Sequence, residues 1–313
     1  MPSFASATRA GTSWALLLTL VISANAAASE PRPAIQVLVV RSSRLPAYDE
    51  ALEGLRSILT GPEFAITDLE LDHAAGSENL PALLARKPAV VVAVGSASVE
   101  AVTAAEHSSP IVATMVLAPA PETSNRRKAV ATITLDIPPA EVLARLKRLY
   151  PKRNRIALIR GPALPAAGAA RLEAFARNQG YQVQIFDCPG PKELLDALGS
   201  LRERFDFVWC LPDSTLYQGP TVSAVILTAI RYRVPLIGFS EGLVRAGALI
   251  GFFPDYRDIG RQTGEAVIRQ IRGLAPVPVE HPRNVRAAVN ERVMRVLGVQ
   301  HAPDGAEGLV VVK

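Results

Sequence analysis

Short apolar runs alternate along this chain with stretches of helical periodicity. AIQVLVV (Ala34–Val40) is followed by AYDEALEGLRSIL, in which Tyr48, Leu52, Leu55 and Leu59 share one helical face. AITDLEL reads as a second strand, NLPALLARK as a short helix and AVVVAVG (Ala89–Gly95) as a continuous buried run. SASVEAVTAAEH opens the next helix and PIVATMVL the next strand. Repetition of this β-α-β-α kind predicts a parallel sheet covered by helices on both faces.

ATITLDIPPAEVLARLKRLYP (Ala131–Pro151) interrupts the rhythm with a strand-like run, a Pro138-Pro139 pair and a helix. The alternation then restarts. RIALIRG, YQVQIFDC, DFVWCLPD and VPLIGFS read as strands, with AAGAARLEAFARNQG, ELLDALGSLRERF and GPTVSAVILTAIRYR as the helices between them. The expected fold class is therefore α/β, with two doubly wound parallel-sheet lobes in series and a seam near Asp136. Late in the chain, Gly247–Gly273 joins a buried strand, ALIGFF, to one more helix through Pro254-Asp255. Ile259, Thr263, Val267 and Ile271 form that helix's stripe, Asp255 or Asp258 can cap it, and Gly273 can end it. The tail after Gly298 carries too little pattern to place.

Composition changes this picture at the amino end. Arg9, the apolar WALLLTLVIS (Trp14–Ser23) and ANAAAS stand in the order of a secretory signal peptide, with A-x-A cleavage after Ala26 or Ala28. The apolar run is too short to span a bilayer. No cysteine lies near the cleavage site, so a periplasmic form without a lipid anchor is expected. The remaining residues exceed what one core usually serves, which agrees with two lobes. With 49% hydrophobic and 20% charged residues the chain is globular, not disordered. The net charge of +5 is spread over many helices, and NRRK (Asn125–Lys128) reads as a solvated loop. Without a basic stripe interleaved with aromatics, no nucleic-acid partner is expected. Cys188 and Cys210 each follow a strand-like run. They lack a CxxC spacing and a nearby His, so buried free thiols are expected, with no metal site and no cofactor.

Ligands of parallel α/β sheets sit at the carboxyl ends of strands, where helix N-termini present free N–H groups. That rule places Ser42 and Ser43, Gly95-Ser96-Ala97, Asp213-Ser214-Thr215 and Ser240-Glu241 around a cleft. Tyr48 could stack on a ligand or pack in the core. The serines could instead cap helices, Asp213 could form an Asx turn, and Glu241 could pair with Arg245 in water. Two carboxylates, Asp213 and Glu241, facing the helix that opens at Ser96 suit a zwitterion, an amino acid or a similar amine. GFSEG (Gly238–Gly242) also satisfies G-x-S-x-G, and Ser240, Asp255 or Asp258, and His281 stand in the chain order of a hydrolase triad. Only LVRA separates this elbow from the next strand, however, and His281 has no evident orienting partner. The chain is expected not to be an enzyme.

LARLKRLYPKRNRIALI, FVWCLPDSTL, VPLIGFSEGLVRAGALIGFFPDYRDIGRQTGEAVIRQIRG and VPVEHP resemble the substrate-binding proteins of ABC transporters with the type I periplasmic-binding fold. The resemblance runs from about residue 140 to 298, and the first lobe joins it mainly through PAVVVAVGSASVEAV. It implies two lobes linked by three crossings, a hinge on which they close around a small organic ligand, and delivery to an ABC permease in the inner membrane. It divides the chain into a signal peptide (1–28), a first lobe (29–137 plus 250–276), a second lobe (138–249 plus 277–298) and a tail (299–313). The late helix would then pack back on the first lobe. Three family features differ. Ala118-Pro119 replaces an Asp-Pro, ATIT replaces an Asn-x-Thr-Gly near Ala131, and RGPALPAAG replaces a polar turn. Each change removes a polar group from the expected cleft, so the alternative is a periplasmic sensor or interaction module that has lost its ligand site.

Overall fold

A computed structural model describes residues 34–72, 74–117, 130–201, 204–302 and 308–313. The leader expected over 1–28, the Ala118-Pro119 step and the NRRK cluster lie outside the described residues. The first half runs β1 (Ile35–Arg41), α1 (Pro46–Ile58), β2 (Phe64–Glu70), α2 (Ala74–Ala85), β3 (Val90–Val94), α3 (Ser96–Ala104), β4 (Ile111–Val116) and β5 (Val130–Thr134). The second continues with α4 (Pro139–Leu149), β6 (Arg155–Arg160), α5 (Ala166–Asn178), β7 (Gln182–Asp187), α6 (Pro191–Ser200), β8 (Phe207–Trp209), α7 (Gly219–Arg231), β9 (Leu236–Gly238) and α8 (Glu241–Ala246). Then come β10 (Ile250–Pro254), α9 (Tyr256–Ile271), β11 (Val279–Glu280), β12 (Val285–Asn290), α10 (Glu291–Leu297) and β13 (Leu309–Val312).

Two sheets result, ordered β11-β5-β4-β3-β1-β2 and β13-β12-β10-β9-β8-β6-β7. The first is parallel throughout, and the second is parallel except where β10 meets β12. The continuous valines of β3 follow from burial on both faces. Val90, Val92 and Val94 point into a core built with α1 and α9, whereas Val91 and Ala93 point into one built with α2 and α3. β6 divides its side chains in the same way. Ile156 and Leu158 join α4, α5 and α10, while Ala157 and Ile159 join α6, α7 and α8.

The lobes are joined where the late helix was expected to cross, but at different residues. Ile250–Pro254 pairs with β9 and β12, so the crossing expected at 250 falls after Pro254. Val279–Glu280 pairs with β5, so the crossing expected at 277 falls after Glu280. In both places the backbone stays in a sheet as long as a neighbouring strand can satisfy its N–H and C=O groups. The tail is used as well, since β13 adds a parallel edge to β12.

Asp255 starts α9 by accepting from the Asp258 amide at 3.0 Å. The helix docks on α1 through glycines. A Cβ on Gly260 would lie 1.8 Å from the Ala51 carbonyl oxygen, and one on Gly54 would lie 2.0 Å from that of Arg257. Gln262, almost fully buried, donates to the His281 carbonyl at 3.1 Å and accepts from the Arg283 amide at 3.2 Å, which ties the third crossing to α9. Asn284 donates to Asp258 at 2.7 Å, and the Asp255 amide donates to the Asn284 carbonyl at 2.9 Å. The three crossings form one hydrogen-bonded bundle.

Candidate functional site

The crossings leave from the carboxyl ends of β5, β10 and β11, so the carboxyl edges of both sheets adjoin the hinge. On the first lobe, Ser42 follows β1 and its hydroxyl accepts from the Ser98 amide at 2.9 Å. The Ser98 hydroxyl donates to the Gly95 carbonyl at 2.8 Å. Gly95 has φ +89°, a conformation that favours glycine, and a Cβ there would lie 2.3 Å from the Tyr48 hydroxyl and 2.7 Å from that of Ser42. Ser42, Tyr48, Gly95 and Ser96 are thus brought together at the N-terminus of α3, whose first-turn amides at Ser96 and Ala97 have no acceptor within the helix. Ser43 is half-buried beside them in sequence. Partial burial raises the Tyr48 phenol above its usual range, so it is a neutral donor at neutral pH.

Behind this wall stands Arg41, which sequence reasoning missed. The side chain is largely buried at the end of β1 and meets Asp68 at 2.9 Å, Asp49 at 3.2 Å and Glu70 at 3.8 Å. Asp49 neighbours Tyr48 on α1, so the cluster holds that helix's first turn against the strand ends. Another missed feature is Met115, a buried residue at φ +58° where the β4–β5 register slips. Bulges of this kind re-aim a strand end. Neither residue has a distinctive local pattern.

The second lobe uses its predicted residues differently. Asp213, 6% exposed, accepts from Thr215 (2.8 Å) and Leu216 (3.1 Å) through one oxygen and from Ala163 (2.9 Å) through the other. Its carboxylate is met by three backbone N–H groups and joins the loops after β6 and β8, with Ser214 and Thr215 exposed beside it. Gly161 allows this approach, since a Cβ there would lie 2.2 Å from the carboxylate. Asp213→Asn places an NH₂ against an N–H donor and is expected to cost about 1.5–3 kcal/mol in urea unfolding. Unchanged stability with weakened ligand binding would instead mean that the carboxylate meets the ligand itself.

Ser240 caps α8 by accepting from the Leu243 amide at 3.1 Å, and Glu241 pairs with Arg245 one turn on. The residues of the suggested hydrolase triad are engaged separately. Asp258 is held by Arg261 and Asn284, and His281 Nδ1 lies 3.1 Å from the Asp136 carbonyl and 3.4 Å from the Thr134 hydroxyl. Cys188 and Cys210 are free and buried, and burial pushes their thiols up to about 11 and about 12. Among the described residues, no group of three or more His, Cys, Asp or Glu could hold a metal ion. No helix there is long and apolar enough to cross a membrane.

The hinge adds residues that no short motif announces. Burial raises the Asp136 carboxyl, partly offset by His281 3.9 Å away. Tyr256, in the first turn of α9, is raised by burial and then by Glu50 of α1 and Glu241 of α8, with Arg286 of β12 opposing. Tyr256 therefore feels charge from both lobes. Chemically, the site combines a phenol, a hydroxyl and helix amides on the first lobe with a hinge whose carboxylates Asp258 and Glu280 are paired with arginines.

Comparison with known proteins identifies the family and the fold. A family model described as ABC transporter substrate binding protein matches residues 34–304. A tyrosine-binding protein from Clostridioides difficile (strain R20291) is 23% identical over 280 residues, covering 82% of this chain and 78% of its own. The ligand-free, open structure of a substrate binding protein with adhesive properties from Clostridium difficile superimposes with a TM-score of 0.72 at 20% identity, covering 90% of this chain and 99% of that one. An ABC domain from Streptococcus pneumonia in complex with L-Trp gives 0.64 at 16% identity, covering 89% and 100%.

Proposed function

The chain belongs to the family of ABC transporter substrate-binding proteins, and from that premise we propose that it is an exported, periplasmic carrier of an α-amino acid with an aromatic side chain. It closes its two lobes on the ligand, performs no chemistry on it, and hands it to an ABC permease in the inner membrane. The observation that carries this reading is the first-lobe wall, where Tyr48 stands over a Gly95 that leaves no room for a Cβ. An aromatic ring can pack on Tyr48, and the ligand carboxylate can face the free amides at the start of α3. The ammonium is drawn to Glu50 of α1 and Glu241 of α8, whose charges reach Tyr256 from the two lobes against the opposing Arg286. Relatives named for tyrosine and solved with L-Trp support the aromatic choice.

A thermal-shift screen of the mature chain tests the reading. Tyrosine, tryptophan and phenylalanine are expected to raise the melting temperature, because a ligand that binds only the folded state stabilises it by mass action. Aliphatic amino acids and sugars are expected to leave it in place. A screen in which no amino acid shifts it would favour the sensor or interaction module, a reading supported by the commitment of Asp213 to three backbone amides.

A further inference from the structure

The segment LARLKRLYPKRNR (Leu143–Arg155) carries six cations. Arg145 pairs with Glu141 at 2.6 Å and Arg155 with Asp206 at 3.0 Å. Lys147, Arg148, Lys152 and Arg153 have no carboxylate partner among the described residues. They cluster where α4 ends and β6 begins, at the amino end of the second sheet, away from the hinge and the strand ends described above. Lys147 reaches over the turn after α5, with Nζ 4.0 Å from where a Cβ on Gly180 would stand. Arg204 adds a further cation, over the Phe205 ring. The surface is indented by two open grooves that share Arg155, one of about 390 Å³ and one of about 700 Å³.

We infer that this basic pole of the second lobe docks on an anionic phospholipid surface. The arrangement argues for an extended partner. Of the three arginines lining the smaller groove, Arg155 and Arg177 are committed to Asp206 and Glu173, and Arg204 lies over the Phe205 ring. The remaining four cations do not converge on one groove, since Lys152 and Arg153 line the larger one and Lys147 and Arg148 line neither. A nucleic acid would be expected to use exposed aromatic platforms, but Tyr150, Tyr181 and Phe207 of this pole are buried, and the half-buried Phe205 is packed edge-on against Phe186 with Arg204 over its ring. Charge without stacking fits a field of lipid headgroups, to which each basic side chain near the surface adds roughly fivefold in affinity. Such contact would keep a carrier near its membrane partner whichever ligand it holds, so the inference does not depend on the ligand.

The test is cosedimentation of the mature protein with vesicles of phosphatidylcholine alone or with phosphatidylglycerol added, at low and high salt. Binding is expected only to the anionic vesicles, weakening as salt rises. The combined Lys147→Gln, Arg148→Gln and Lys152→Gln variant is expected to bind about a hundredfold more weakly. A charge-matched control, Arg86→Gln, Lys87→Gln and Arg272→Gln on the first lobe, is expected to lose much less. Equal loss in both triples would reduce the effect to net charge and overturn the proposal. So would a wild-type protein that ignores phosphatidylglycerol at low salt, a result that requires no variant to fold.

Discussion

Gly260→Ala is expected to lower the melting temperature by about 6–12 °C, corresponding to about 3 kcal/mol of overpacking at roughly 2–4 °C per kcal/mol. Helix propensity alone predicts the opposite sign, because alanine in a helix interior is better than glycine by about 1 kcal/mol. Packing should win here because the obstacle is backbone. The new Cβ would stand 1.8 Å from the Ala51 oxygen and 2.7 Å from its carbonyl carbon, and neither can rotate away. Relief requires α9 to move off α1, a seam that also rests on Gly54 against Arg257 and on Gly264 against Ile58. The same motion would loosen Thr263, whose hydroxyl lies 2.9 Å from that of Thr114, and would strain the hinge bundle held by Gln262. Gly242→Ala is the internal control. It lies in α8, where a Cβ would meet nothing closer than the Ser240 hydroxyl at 3.8 Å, so it should be neutral or mildly stabilising. Thermal unfolding followed by circular dichroism separates the two, and a Gly260→Ala protein as stable as the parent would show that the α1–α9 seam can give.

Gly95→Ala is expected to weaken aromatic amino-acid binding by roughly tenfold to a hundredfold, a loss of about 1.5–3 kcal/mol. The atoms that a Cβ would meet are the side-chain hydroxyls of Tyr48 and Ser42, at 2.3 and 2.7 Å. Both can move, so the lobe should still fold, although φ +89° adds strain for alanine. What is lost is the placement of Tyr48 and the contact of Ser42 with the first turn of α3. Tyr48→Phe keeps the ring and removes the hydroxyl, so it should retain more affinity than Gly95→Ala. Calorimetric titration with L-tyrosine measures both, and equal affinity for Gly95→Ala and the parent would remove this wall from the site.

The alternation of buried runs and amphipathic stretches was enough to read two parallel-sheet lobes, because helices on both faces force continuous apolar strands such as Val90–Val94. The cap at Asp255 and the stripe of α9 were legible for the same local reason. The crossings were not, since whether Ile250–Pro254 stays in a sheet depends on strands far away in sequence. β11, two residues long, leaves almost no pattern. The glycines of the α1–α9 seam read as gaps in a stripe, and only a facing backbone reveals their use. At the strand ends, Asp213 and Glu241 were singled out as candidate ligand carboxylates. The residue type alone could not distinguish a ligand carboxylate from an Asx turn or an i,i+4 pair, and the structure contains those local arrangements. Arg41 and Tyr256 went unseen, and His281 was read only as a triad candidate without an orienting partner, because their partners lie on other elements, in the case of His281 and Asp136 some 145 residues apart.

Isothermal titration calorimetry of the mature chain with L-tyrosine, L-tryptophan and their D-enantiomers tests the central claim most directly. Saturable one-to-one binding of an L-isomer, with the D-isomer at least tenfold weaker, is the predicted result, since a carboxylate on helix amides and a ring on Tyr48 fix the hand of the ligand. Absence of heat or of saturation with every aromatic amino acid, from a protein that unfolds cooperatively, would contradict it.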